Sequence, residues 1–349
     1  MTKLSNVMKD RLAQASTQAM RHLSSLSVCF LCVCAWVLPG TCTATDLYVG
    51  NFFGPGNEDV LRYNGSTGAS LGTFVPTGSG GLTFPLGGAF GPDGNLYVSN
   101  SDAEAVLRYN GSTGAFMNTF ASSVDDAAGM KFGPDQNLYV ANSASPGGVT
   151  KINGTTGAVI GPLTGGALSN PEGVVFGPDQ NLYVANGDLN SVLRFNATTG
   201  NFIDTFVSSG SGGLTSARGV AFGPDGDLYV TSFGTGEVLR YDGATGTFLN
   251  AFVSAGSGGL SLPRDLVFGP DSNLYVGSFG TGSILRYNGT TGAFMDAFVP
   301  AGSGGLGGPT FLVFHDAASN AVPEPSTLGI IGLGLVGVGA WKWKATSRK

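Results

Sequence analysis

The eleven residues FGPDQNLYVAN occur twice, at 132–142 and at 176–186, and looser copies begin at Phe90, Phe222 and Phe268. Taking Phe90, Phe132, Phe176, Phe222, Phe268 and Phe314 as one position, the intervals are 42, 44, 46, 46 and 46 residues. A unit copied at fixed spacing cannot bury its apolar face alone and must stack on its neighbours. A period of about 45 with several short strands in each period is that of a β-propeller or a related array. Length alone suggests about two domains for 349 residues, but the repeat overrides that count.

One unit, residues 218–260, shows how the strands are punctuated. GVAF reads as a short strand, and GPDG as a type I turn with Pro and Asp at its centre. DLYVTS and EVLRY are two further strands rich in β-formers. DGATG supplies a tight reversal, TFLNAF a fourth strand, and a glycine-rich stretch leads to the next unit. The 58 glycines of the chain suit so many turns. Strands apolar on both faces fit blades sandwiched between blades.

LYV recurs at 47, 96, 138, 182, 228 and 274. The first unit lacks its first strand, and FLVF at 311–314 supplies a spare one. The expected fold is therefore all-β: a six-bladed β-propeller with four antiparallel strands per blade, its ring closed by the C-terminal strand completing the first blade. Closure removes sheet edges that would otherwise invite aggregation. These units resemble NHL-type repeats across 46–316. The resemblance implies a fold and no function, since such propellers host both lyases and binding platforms.

The two ends read as addresses. Residues 1–44 carry a basic region (Lys3, Lys9, Arg11, Arg21), the apolar run SVCFLCVCAWVL, a PG breaker and small residues up to Ala44. That order describes a secretory signal peptide cleaved near Ala44. A lipoprotein signal at Cys42 is the weaker reading, because PGT precedes that cysteine. All four cysteines lie in the first 42 residues, so the repeats contain no disulfide and no cysteine nucleophile.

At the other end, Val322, Pro323, Glu324 and Pro325 are followed by an apolar segment and a basic tail. This pattern resembles the PEP-CTERM sorting signal. The resemblance implies export, transient membrane anchoring and processing near Pro-Glu-Pro by an exosortase-type enzyme. It also implies association with the envelope and extracellular polymers of Gram-negative bacteria. Residues 317–327 would be the linker, 328–343 a transmembrane segment and 344–349 a cytoplasmic tail. Sixteen residues span roughly 24 Å of helix, short for a hydrocarbon core of about 30 Å. Lys342, Lys344, Arg348 and Lys349 orient the segment with the repeats outside. An ordinary permanent tail anchor remains the other reading.

Charge excludes one class of partner. Between 45 and 321 there are nine basic and 21 acidic residues, and 9 − 21 = −12. Nucleic-acid affinity rests on Lys and Arg neutralising phosphates, so no nucleic-acid partner is expected.

Candidate chemistry is sparse. The turn acids Asp93, Asp135, Asp179, Asp225 and Asp271 read as turn formers rather than calcium ligands, since calcium needs six to eight oxygens. NGST, NGTT and NATT read as hairpin turns rather than glycosylation acceptors. The Arg of LRY recurs with the blade, with Lys151 once in its place, and reads as a between-blade hydrogen-bonding group. Of two histidines, His22 lies in the signal and His315 in a turn position held elsewhere by glycine, so no Ser–His pair can be assembled.

Gluconolactonase-like propellers place a Glu/Asn/Asp metal set in the channel. The corresponding residues here, just before each first strand, are Leu86, Ala128, Glu172, Arg218, Arg264 and Thr310. One acid beside two cations makes a poor divalent site. Glu172 with Asp265 is the weak metal alternative, and no cofactor is expected.

A binding surface has more to work with. The loop after the second strand begins with Phe52, Ser101, Ser143, Gly187, Phe233 and Phe279. The three Phe belong to blades that become contiguous on closure, and Arg218 and Arg264 enter on the same face. Acids gather opposite: Asp102, Glu104, Asp125, Asp126, Glu172 and Asp188. Such a face suits an extracellular polysaccharide or surface protein; the plainer alternative is that these Phe pack under their own glycine loops. The expected role is a non-enzymatic, envelope- or matrix-associated binding module. The alternative is a metal-assisted hydrolase or lyase.

Overall fold

The computed structural model describes residues 45–52, 58–144 and 146–316. The expected signal peptide, linker, sorting motif, apolar segment and basic tail lie outside the described residues. Among the described residues no helix is long and apolar enough to cross a membrane.

Each LYV stretch forms the second strand of one of six four-stranded antiparallel sheets. The innermost strands are Pro85–Phe90, Ala127–Phe132, Pro171–Phe176, Ala217–Phe222 and Pro263–Phe268 in blades 2 to 6, and Pro309–Asp316 in blade 1. Blade 1 is thus built from both ends of the repeat region, with Pro309–Asp316 antiparallel to Thr45–Asn51 from Thr45↔Asp316 to Asn51↔Pro309. Each inner strand touches the inner strands on either side, so the six form a closed ring around a channel.

The joints between blades are aromatic. The Tyr of each LYV packs edge-on against the Phe ending the next blade's inner strand, from Tyr48–Phe90 round to Tyr275–Phe314, with ring centroids 4.8–5.1 Å apart at all six joints. Edge-to-face pairs of this kind add about 0.5–1.5 kcal/mol each beyond the area they bury. The repeated LYV tyrosine and inner-strand Phe therefore encode the contact of one unit with the next.

Four connections between blades carry an SGG 3₁₀ turn, at Ser79–Gly81, Ser211–Gly213, Ser257–Gly259 and Ser303–Gly305. The middle glycine sits at φ 63–66°, a conformation that L side chains rarely adopt. The serine carbonyl accepts a hydrogen bond from the third-strand Tyr of the following blade, as in Tyr109 Oη to Ser79 O at 2.8 Å.

Among the described residues the recurring Arg pairs within its own blade, and the blade-bridging reading holds only for Lys151, whose Nζ lies 3.5 Å from Ala197 O of blade 4. The Arg guanidinium lies against the turn acid or another acid of the same sheet. Arg108 pairs with Asp93, Arg240 with Asp225 at 2.7 Å and Arg62 with Asp46 at 2.5 Å. The cause is register: Arg108 pairs with Tyr97 across the sheet, two residues past the turn that carries Asp93. The turn acids also accept from the LYV tyrosine, as in Tyr97 Oη to Asp93 Oδ2 at 3.0 Å. His315 lies within the closing strand, its ring stacked on Phe90 at 3.7 Å.

Two faces result. GPDx turns, Thr45 and Asp316 occupy one, here the turn face. Connections between blades and loops after the second strands occupy the other, the mouth.

Candidate functional site

Every inner strand carries a bulge near its mouth end, with register shifts such as Pro171/Val174 and Ala217/Val220. A bulge adds a residue and re-aims side chains. The residues re-aimed are Leu86, Ala128, Glu172, Arg218, Arg264 and Thr310, which lie inside the strands rather than before them. All of these but Ala128 line a central cavity of about 280 Å³.

The next residue is glycine in four blades: Gly87, Gly129, Gly173 and Gly219. A Cβ on Gly173 would lie under 3.0 Å from the backbone oxygen of Arg218 in the next inner strand. Glycine here lets the inner strands meet backbone to backbone. The two exceptions flank the closing seam. Phe311 fills space left by Gly50 and Gly88. Asp265, half-buried, accepts the Leu312 amide of blade 1 at 2.8 Å and the Leu266 amide at 2.9 Å. Burial pushes the Asp265 carboxyl above its ordinary value, while Lys131 and these amides pull the other way.

Glu172 is not part of an acidic half. It lies between the cations, with Arg218 Nη1 paired to Oε1 and Arg264 Nη2 donating to Oε2 at 3.2 Å. The three residues hold the same position in blades 4, 5 and 6, so ring geometry brings them side by side. Burial pulls Arg264 below the ordinary arginine value; Glu172 opposes this and Arg218 adds to it. Both Glu172 oxygens are engaged by guanidiniums and both Asp265 oxygens by amides. Among the described residues no group of three or more His, Cys, Asp or Glu is placed to hold a metal ion.

Above this clamp lie the aromatics. Arg218 Cζ stands 4.5 Å from the Phe233 ring centroid, and Arg264 Cζ 5.4 Å from that of Phe279. Phe233 and Phe279 are 6.5 Å apart, and Phe279 stacks on Phe52 at 6.4 Å. Phe52 meets Phe84 edge-on at 4.0 Å. The structure therefore brings Phe52, Phe233, Phe279, Arg218 and Arg264 together and adds Phe84, extending the arc over blades 5, 6, 1 and 2. All four rings are half-buried. Leu262, at φ 48° and 39% exposed, adds an apolar edge beside Phe279, whose amide donates to its carbonyl at 3.2 Å.

Phe84 precedes Pro85 at a position that is Asp126, Asn170, Ser216, Leu262 and Gly308 in the other blades. It repeats nothing, which is why a reading based on repeats passes over it. The acids across the mouth serve their own loops. Asp126 accepts from Ser101 and from Ser143 Oγ at 2.9 Å, and Asp188 from Ser169 Oγ at 3.0 Å.

Chemically, the mouth combines flat apolar faces, two guanidiniums with donors to spare and one carboxylate between them.

Comparison with known proteins agrees with this architecture. Residues 321–344 match the PEP-CTERM protein-sorting motif. No curated protein matches the chain. Among solved structures, a chain of a nidogen/laminin complex superposes with a TM-score of 0.61 at 18% identity, over 78% of this chain and 99% of that one. A protein of unknown function from Bacteroides caccae gives 0.60 at 14% identity, over 78% and 98%. A catalytically inactive variant of virginiamycin B lyase from Staphylococcus aureus with quinupristin gives 0.51 at 14% identity, over 74% and 85%. At such identities the likeness establishes the fold alone. The chain is a six-bladed propeller that carries a PEP-CTERM sorting motif, which marks it for export and envelope sorting.

Proposed function

We propose that this protein is a non-enzymatic binding module of the cell envelope or extracellular matrix of a Gram-negative bacterium. Its ligand is an extracellular polymer that docks at the mouth of the propeller. The supporting observation is the convergence of Phe233, Phe279, Phe52 and Phe84 over the Arg218–Glu172–Arg264 clamp. Partly exposed aromatics beside desolvated arginines are the residues that dominate binding energies at recognition surfaces. The fold is no argument either way, since its structural neighbours include both a chain of a protein complex and a lyase.

In this reading residues 1–44 take the chain across the inner membrane and are removed. Residues 328–343 then hold it until an exosortase-type enzyme acts near Pro323, Glu324 and Pro325. The repeats are left outside.

The test is retention of the protein on extracellular polymer from the producing cells. Phe233→Ala and Phe279→Ala should each cost about 1–2 kcal/mol of binding, roughly tenfold in affinity. Unchanged retention by a folded double variant would refute the reading.

A further inference from the structure

We infer that the mouth recognises a carboxylate: its ligand is a uronic-acid residue of an anionic polysaccharide, and Glu172 sets the affinity by occupying part of the same arginine pair. This deepens the polymer-binding reading and rests on it.

Cations are scarce in the body of the protein, nine against 21 acids between 45 and 321. Six of the nine are the blade-repeat residues Arg62, Arg108, Lys151, Arg194, Arg240 and Arg286, each paired with an aspartate of its own blade. The other three, Lys131, Arg218 and Arg264, all line the channel. The carboxylates lining it are Glu172 and Asp265, so 3 − 2 leaves one positive charge in excess. That excess sits inside a body whose sum is 9 − 21 = −12. Excess charge in a desolvated site is costly unless an anion meets it.

The donors are also in excess. Each guanidinium has five N–H groups, and the contacts to Glu172 engage Arg218 Nη1 and Arg264 Nη2. Arg218 Nε is buried and has no hydrogen-bond partner among the described residues. Lys131 forms no ion pair among them. An incoming anion takes the guanidinium N–H groups that Glu172 leaves free and Lys131 Nζ, while Glu172 repels it as a like charge.

Glu172 also shows which anion fits. A planar two-oxygen group already sits between the guanidiniums, one oxygen to each, in charge-assisted contacts that a second carboxylate can also make. The phenylalanine faces beside it suit the CH face of a sugar ring. The cavity, about 280 Å³, lies at the small end of ligand pockets, about 300–1,000 Å³. It has room for one sugar residue, so the chain is held by an end.

The experiment is calorimetric titration of the purified protein with tetragalacturonate and with its methyl ester. The acid should bind at least about tenfold more tightly than the ester, the advantage of a charge-assisted arginine contact. Glu172→Gln should strengthen acid binding about tenfold, and Arg264→Gln should abolish the preference for acid over ester. Equal binding of acid and ester would overturn the inference while leaving the polymer reading intact. So would failure of both sugars when crude extracellular polymer is still retained. Failure of both sugars and of the polymer would remove both readings. The acid–ester comparison uses the unsubstituted protein, so it decides even if Glu172→Gln folds poorly.

Discussion

Gly173→Ala tests whether the inner ring is closed backbone to backbone. A Cβ at this position would come under 3.0 Å from Arg218 O and 3.3 Å from Gly219 Cα, both in the next inner strand. Neither is the end of a flexible side chain, so the two strands must part. Overpacking of this kind costs about 1–3 kcal/mol. For a body of this size each kcal/mol moves Tm by about 2–4 °C, so Tm should fall by about 2–12 °C.

The control is the same chemical change at Gly148, where a Cβ meets nothing within 4 Å and φ is not positive. There alanine should stabilise, by about 0.4–1 kcal/mol, through the unfolded chain. Gly219→Ala should likewise destabilise, since a Cβ there would lie 2.8 Å from Asp265 Cα and 2.9 Å from both Arg264 O and Leu266 Cδ2. Thermal melts of the three variants read the order directly. Equal Tm for Gly173→Ala and Gly148→Ala would refute the tight-joint argument.

Tyr109→Phe removes the 2.8 Å bond to Ser79 O and should cost about 0.5–1.5 kcal/mol in chemical denaturation; the same change has no counterpart in blade 4, which already has Phe195. Burial alone would raise Asp93, Asp135, Asp179 and Asp271, but hydrogen bonds from their Asn and Tyr partners and the neighbouring Arg or Lys bring them below the ordinary 3.8. Their folded values lie below the unfolded ones, so their stabilisation is present above pH 3.8 and should be lost as pH falls further, most simply seen in melts between neutral and acid pH. Adding a chelator should leave Tm unchanged; one tightly held divalent ion with a large stability loss on chelation would revive the hydrolase or lyase reading.

Much of this was legible in the sequence because the repeat carries its own contacts. The spacing of LYV and of the inner-strand Phe encodes the Tyr–Phe joints, and the spare FLVF announces the closing strand. The within-blade pairing of Arg108 with Asp93 was less legible, because a recurring residue looks equally suited to either side of a joint until the register is known. The bulges were hidden too, since one extra residue in a strand leaves the period intact. That shift puts Glu172 between Arg218 and Arg264 instead of among the acids. Phe84 was invisible for the opposite reason: a residue present in one unit alone gives a repeat nothing to count.

The placement of the ends has a mechanical consequence. Thr45 and Asp316 lie together on the turn face, joined by Thr45 Oγ1 to Asp316 Oδ1 at 2.7 Å. Under the proposed anchoring, a tether beyond Asp316 would therefore draw on the turn face and leave the arc of phenylalanines pointing away from whatever holds the tail. Tension on that tether runs along the closing strand, parallel to its antiparallel partner. Six residue pairs, from Thr45↔Asp316 to Asn51↔Pro309, then bear the load together in shear instead of parting one after another. The strand that closes the ring is also its strain relief.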